Sequence, residues 1–374
     1  SEIRQGQEGH LTERQRLTSE VQIGTWVHLY YLAVGWITGP FHLNPIFAYH
    51  ASRVVIGFLL LLTFYYFLKT FFKDKFTTIC IFFLTAFAGG FPRLKFDQGS
   101  FWLIDWPYLQ FFSGYDVLRR VTFLPHGMVR DVLFLGVVIF WMKLWDTKKL
   151  KYFWLSVVCG FFLGFFSPTH ALVLYVMFTV YCLLLSIKSL LKKEKLTSAK
   201  TNIKLTLTYI ILTIPSSLYI TWVFDNTVWK IVKDWEASQW FPIPFSEYAL
   251  GTGPLFFLAI PAIFYIIYKN YKDYKYYILI SLPLLTLFFL FSPFVKTIGL
   301  LNFRFLGIPL QVFWGTLGGL TLVWFAKKVS GNDKTYKICL VIFSFLIFLP
   351  TLPSYAVSLK TQNQEFTPPI NFNI

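Results

Sequence analysis

Ten apolar runs separated by short polar loops constrain this chain more than any other feature. Each is near the ~20 residues a helix needs to cross a hydrocarbon core of about 30 Å. They fall at about 51–69, 76–91, 127–145, 152–168, 169–190, 205–223, 251–268, 277–293, 304–326 and 336–352. Backbone groups in lipid must find hydrogen-bond partners within their own segment or a closed barrel, and runs this long select helices. Of the 374 residues, 56% are hydrophobic and 14% charged, whereas a soluble domain has about 45–50% and about 25%. The expectation is an all-α polytopic membrane protein with about ten transmembrane helices. A segment at 23–41, broken by Gly24, Gly35, Gly39 and Pro40, suits an interfacial helix.

Charge placement orients the spans. Lysine clusters at 69–75, 143–151, 188–204, 269–275 and 327–337 occupy every second loop, which assigns those loops to the cytoplasm. Residues 1–50, the loops at 92–126 and 224–250, and the tail at 353–374 then face out, leaving 51–352 as the membrane domain. The cytoplasmic side holds 20 Lys and no Arg, while all nine Arg, all six His and 13 of the 18 acids lie on or near the outer side. Topology needs only a cation, and Lys supplies it. Arg adds a planar fork that grips phosphate or carboxylate through two parallel hydrogen bonds. Polar chemistry is therefore expected on the outer face, the simpler alternative being that Arg pairs with the outer acids. The formal charge of +16 follows from topology and does not point to nucleic acid. The four cysteines lie inside apolar runs and read as small core residues.

The loop at 92–126 carries Asp97, Asp105, Asp116, Arg119 and Arg120 among Trp102, Trp106, Phe111 and Phe112. The three carboxylates suit a general base or a divalent cation such as Mg or Mn, or else loop capping and pairing with the arginines. His126 opens a span after Pro125, and His170 lies in a tight hairpin after Ser167 and Pro168. Both stand at helix mouths on one side, as cavity-lining or as capping histidines. The loop at 224–250 adds Trp229, Trp235, Trp240, Asp234, Glu236 and Glu247. Such aromatics beside acids hold sugar rings, and they also form interfacial belts. Arg304 stands at the outer end of a span with no acid near it in sequence. That position suits a cavity or an anionic partner such as a lipid-linked phosphate, or snorkelling to headgroups. No P-loop, GxGxxG or GxSxG is present, which argues against an ATP-driven pump, a dinucleotide enzyme and an α/β-hydrolase.

In layout and short patterns the chain resembles the GT-C membrane glycosyltransferases, the protein mannosyltransferases and aminoarabinose transferases. The carrying residues are His50-Ala51-Ser52-Arg53 at the mouth of a span, Arg304 followed by Pro309 and Leu310, and the segment at 3–36. The resemblance implies an enzyme of the plasma (inner) membrane that takes a sugar from a polyprenyl-phosphate carrier at the extracytoplasmic face. It implies that Arg304, with Arg119 or Arg120, holds the donor phosphate, and that His126, His170, Trp106 and Trp235 line the cavity. The family's catalytic acid lies just after its first span, so that span and that acid are expected upstream of Ser1. Within the chain, Glu13, Glu20, Asp97, Asp105 and Asp116 are the candidates for that role. Expected partners are the polyprenyl-phosphate-linked sugar, a lipid, glycan or protein acceptor, and membrane lipids. Two other readings stand beside this one. An O-antigen ligase or polymerase type of enzyme needs no catalytic carboxylate. A secondary transporter places ionisable or broken-helix sites near the midplane.

Overall fold

The structure, a computed structural model, describes residues 2–15, 19, 21–97, 100–105, 120, 124–191, 197–238, 242–269, 273–297, 299–356 and 359. The regular elements among the described residues are helices, α with three short 3₁₀ turns, apart from one small hairpin. They divide into two compact units: 1–63, 124–241 and 273–308 form the first, and 64–123, 242–272 and 309–374 the second. The division falls inside one long helix, α3 (Pro45–Lys69).

In the first unit, α1 (Glu2–Gln7) packs on α2 (Leu29–Thr38). Ring nitrogens of Trp26 and Trp36 donate to the carbonyls of Leu11 and His10 at 2.9 and 2.8 Å, tying the intervening chain to this pair. α5 (Pro125–Thr147), α6 (Leu150–Phe166), α7 (Pro168–Leu191), α8 (Thr197–Asn226) and α12 (Tyr274–Phe291) form the helical body. Pro125 and Pro168 start their helices, where a missing N–H costs nothing. Asp273 caps α12 by accepting from the Lys275 amide. Trp141 of α5 stacks on Phe178 of α7 at 4.1 Å and meets Tyr209 of α8 edge-on at 5.2 Å. Helix approach here needs a glycine: a Cβ on Gly160 of α6 would lie 2.4 Å from the Tyr209 hydroxyl. Lipid gives no hydrophobic drive between helices, so such close backbone contact supplies the attraction. The short helices α9 (Lys230–Ser238) and α13 (Phe294–Thr297) and a 3₁₀ turn at Asn302–Gly307 complete the unit.

In the second unit, α4 (Lys75–Phe87), α11 (Pro254–Tyr268), α14 (Leu310–Val329) and α15 (Asp333–Phe348) pack together. Asp74 and Asn332 cap α4 and α15 by accepting from the amides of Thr77 and Thr335. Across helices, Trp314 donates to the Tyr248 hydroxyl at 2.9 Å and Thr321 to the Leu258 carbonyl at 2.7 Å. α10 (Phe245–Thr252) joins α11 at an angle of 98°. Gly253 makes the break at φ +77°, and a Cβ there would lie 2.2 Å from the Gly89 carbonyl. The Phe91 amide donates to the Leu250 carbonyl at 2.8 Å, so the chain at 88–91 runs along the break.

Each of the ten expected stretches carries a helix. Five helices among the described residues are long and apolar enough to cross a membrane, and a sixth passage appears if the bent pair counts as one. Apolar side chains such as Phe58, Leu183, Ile211 and Phe345 stand exposed on these helices. An apolar surface of that extent belongs in lipid. The chain is thus a helical protein built for a membrane. Three local features differ from the sequence expectation. The stretch at 304–326 opens with a 3₁₀ turn, and its α-helix starts at Leu310, after Pro309. The stretch at 251–268 is broken. The loop at 92–126 contains a hairpin of β1 (Arg93–Asp97) and β2 (Ser100–Asp105). All four cysteines are free thiols.

Candidate functional site

The first unit contains a hollow of about 420 Å³ lined by residues from six segments. Phe165, Phe166, Ile220, Phe224, Leu300 and Leu301 supply an apolar wall. His28, His126, Lys233, Glu236 and Arg304 supply the polar side, with Trp229 between them.

Arg304 reaches this hollow on the 3₁₀ turn at Asn302–Gly307, which is anchored from two helices. Arg130 of α5 donates to the Gly307 carbonyl at 2.9 Å. On the α12 side, Asn302 donates to the Leu290 carbonyl at 3.3 Å, and Phe305 stacks on Phe289 at 5.0 Å. The guanidinium of Arg304 meets the carboxylate of Glu236 on α9 through Nε at 3.2 Å and through a second contact from Nη2. The Arg304 side chain is 46% exposed, and an ion pair at that exposure is worth about 0–1 kcal/mol. A charge-assisted bond to a phosphate is worth about 1.5–3 kcal/mol. A phosphate can accept from the same two guanidinium donors that Glu236 now occupies. Lys233, one helical turn before Glu236, pairs with Asp225.

Glu13 and His28 form the second charged element. Glu13 exchanges both backbone hydrogen bonds with Thr25 at 2.9 Å, which sets its side chain under His28. One carboxylate oxygen accepts from the His28 amide at 3.0 Å, and the other lies 3.1 Å from Nδ1. Glu13 is 2% exposed, and a carboxylate so buried costs several kcal/mol unless partnered. Burial pulls the His28 imidazole down, but the hydrogen bond and charge of Glu13, with Glu2 behind, outweigh it and raise its pKa overall. With Nδ1 engaged, Nε2 is the nitrogen left for a ligand or a proton. The ring meets Trp229 edge-on at 5.3 Å.

On the other histidine, His126 Nδ1 lies 2.9 Å from the Tyr31 hydroxyl. Burial, with Tyr49 and Tyr30 alongside, raises the pKa of Tyr31, so its proton stays available to donate.

Among the described residues, Glu2, Glu13 and His28 form a group able to hold a metal, with donor atoms all within 4.8 Å of one another. One imidazole and two carboxylates fit manganese or zinc better than magnesium, which takes oxygen ligands almost exclusively.

The expected site residues are distributed as follows. Arg304 and His126 line one hollow, and Glu13 backs another of its histidines. His170 is fully buried, with Nδ1 2.7 Å from the hydroxyl of Ser167, itself a lining residue. Trp235 on α9 is 60% exposed and is not among the residues lining the hollow. In the second unit, Arg120 is buried and donates to the carbonyls of Thr85 and Ala86 at 3.1 and 2.9 Å, closing the C-terminal end of α4. That use satisfies orphan helix carbonyls and places a cation where the dipole favours it. Asp97 and Asp105 occupy opposite ends of the hairpin, Asp97 facing Ser100 and Asp105 facing Arg93. At about 3.3 Å per residue their backbones are about 17 Å apart, too far for one pair of carboxylates to share a proton or cation. The side chains of Asp97 and Asp105, and all of Glu20, Trp106, Asp116 and Arg119, lie outside the described residues.

Sequence reasoning did not single out His28 or Lys233 as site residues. The only signal for His28 was the gathering of all six histidines on one expected side. No protein-family model matches the chain, and no curated protein matches it.

Proposed function

We propose that the chain is a GT-C-like glycosyltransferase of the plasma membrane, crossing it about ten times. It moves a sugar from a polyprenyl-phosphate carrier to a lipid, glycan or protein acceptor at the extracytoplasmic face. The observation that carries this reading is Arg304, held on an anchored turn beside an apolar wall, with Glu236 as its acidic partner among the described residues. A polyprenyl phosphate has the matching chemistry, a charged group joined to a long apolar chain.

In this reading the acceptor hydroxyl attacks the anomeric carbon of the donor sugar. The bond from that carbon to the phosphate oxygen breaks, and the phosphate leaves with the bonding pair, its charge held by Arg304 and Lys233. The acceptor's proton goes to Nε2 of neutral His28, with Glu13 stabilising the resulting imidazolium. Were a divalent cation held at Glu2, Glu13 and His28 instead, it would supply positive charge there, and His28 would be a ligand and not the base. Inversion at the anomeric carbon follows from the resemblance alone.

Binding of a polyprenyl phosphate to the purified protein tests the reading. Loss of binding in Arg304→Ala, with retention in Arg130→Lys, supports it. Equal binding without Arg304 rejects it.

A ligase-type enzyme is a second reading, favoured by one observation: Glu236, the acid lining the hollow, is already paired with Arg304. If transfer survives in Glu13→Gln and Glu236→Gln, that reading replaces the first.

A further inference from the structure

We propose that a second hollow, in the second unit, binds the phosphate headgroup of an anionic membrane lipid. It measures about 780 Å³ and lies where the 70–74 turn and α4 meet α14 and the start of α15. Its polar rim includes Lys73, Lys327, Asp74 and Asp333, and Leu320 and Val323 form an apolar side.

The two acids are already engaged. Asp74 accepts from the Thr77 amide and hydroxyl, both at 2.7 Å, and Asp333 pairs with Lys337 at 2.5 Å. The Thr77 amide and then its hydroxyl hold Asp74 below the usual carboxylate range. The lysines are in a different position. Among the described residues neither Lys73 nor Lys327 has a carboxylate within ion-pair distance, and Lys327 lies over the Tyr336 ring at 5.9 Å. By contrast Lys275, in another basic loop, pairs with Asp146 at 3.0 Å. The segments 72–75 and 327–337, which supply much of the rim, carry six lysines (73, 75, 327, 328, 334 and 337), one of them paired with Asp333, against two aspartates, so an anion is favoured over a cation. Phe72, Thr77 and Tyr336 are buried beneath the rim.

A charged rim with an apolar side is amphiphilic, which selects a lipid over a soluble anion. The 69–75 and 327–337 loops belong to the lysine clusters assigned to the cytoplasmic side, where anionic lipids are concentrated.

Native mass spectrometry of the detergent-purified full chain tests this, with dioleoyl phosphatidylglycerol, phosphatidylethanolamine and phosphatidylcholine as probes. Phosphatidylglycerol is expected to be retained about tenfold over phosphatidylcholine, and Lys73→Ala or Lys327→Ala to lose about fivefold each. Lys327→Arg is expected to retain binding, as is Lys151→Ala, a basic-loop control that does not line the hollow. Equal retention of the three lipids, preference for phosphatidylethanolamine, or an equal loss in Lys151→Ala overturns the proposal. So does full displacement of phosphatidylglycerol by inorganic phosphate, which would make free phosphate the ligand.

Discussion

Arg304 and Glu236 stand 68 residues apart in sequence, and the carboxylate of one occupies the guanidinium fork of the other. If Arg304 holds a phosphate as proposed, Glu236 competes for the same fork, and its removal has a direction that separates competitor from ligand. Glu236→Gln is expected to tighten polyprenyl-phosphate binding about two- to fivefold, the range set by an exposed pair. Titration of the purified protein checks it. Weakening to the level of Arg304→Ala would show that Glu236 helps to hold the ligand.

The Glu13–His28 pair predicts a pH dependence. The His28 pKa is raised in the fold, from an ordinary value of about 6.5. Its contribution to stability is then fully present below about 6.5 and is lost as pH rises through the raised folded value. Thermal melts in detergent across this window are expected to fall with rising pH, and Glu13→Gln to flatten that slope. An unchanged slope in Glu13→Gln would assign the dependence to another group.

Arg120 is expected to act on stability. Arg120→Ala leaves buried carbonyls of α4 without their donor, at about 1–3 kcal/mol each, so the melting temperature should drop clearly. Polyprenyl-phosphate affinity per folded molecule should stay near wild type. A variant that melts normally and binds poorly would return Arg120 to the site.

Gly160 against Tyr209 offers a test of the first unit's packing. Gly160→Ala is expected to cost about 1–3 kcal/mol through overpacking, and Tyr209→Phe to recover part of it by removing the oxygen that the new methyl meets. A double-mutant cycle measures the coupling. Additivity would mean that the two helices have room to shift.

The helices were legible because apolar runs near bilayer length admit little else. Arg304 and His126 stood out because charged or titratable groups are conspicuous at the mouths of apolar helices. Their partners were not legible. Glu236 and Tyr31 meet them only through tertiary packing, over 68 and 95 residues. Two carboxylates close in sequence suggested a shared role, but strand register separates Asp97 from Asp105. Arg120 looked like a phosphate ligand because sequence cannot tell a guanidinium facing a cavity from one that closes a helix end.

The break at Gly253 bears on biogenesis. Where α10 turns by 98° into α11, the ends of both helices present peptide groups that hydrocarbon cannot satisfy. The strip at 88–91 covers them, through the Phe91–Leu250 hydrogen bond and the close seat of Gly253 on Gly89. During synthesis that strip emerges more than 150 residues before the segment it must shield. Partition into lipid of the bent pair therefore waits on an earlier part of the chain being in place. Substitutions at Gly89 or Gly90 should register first as failed insertion and low yield.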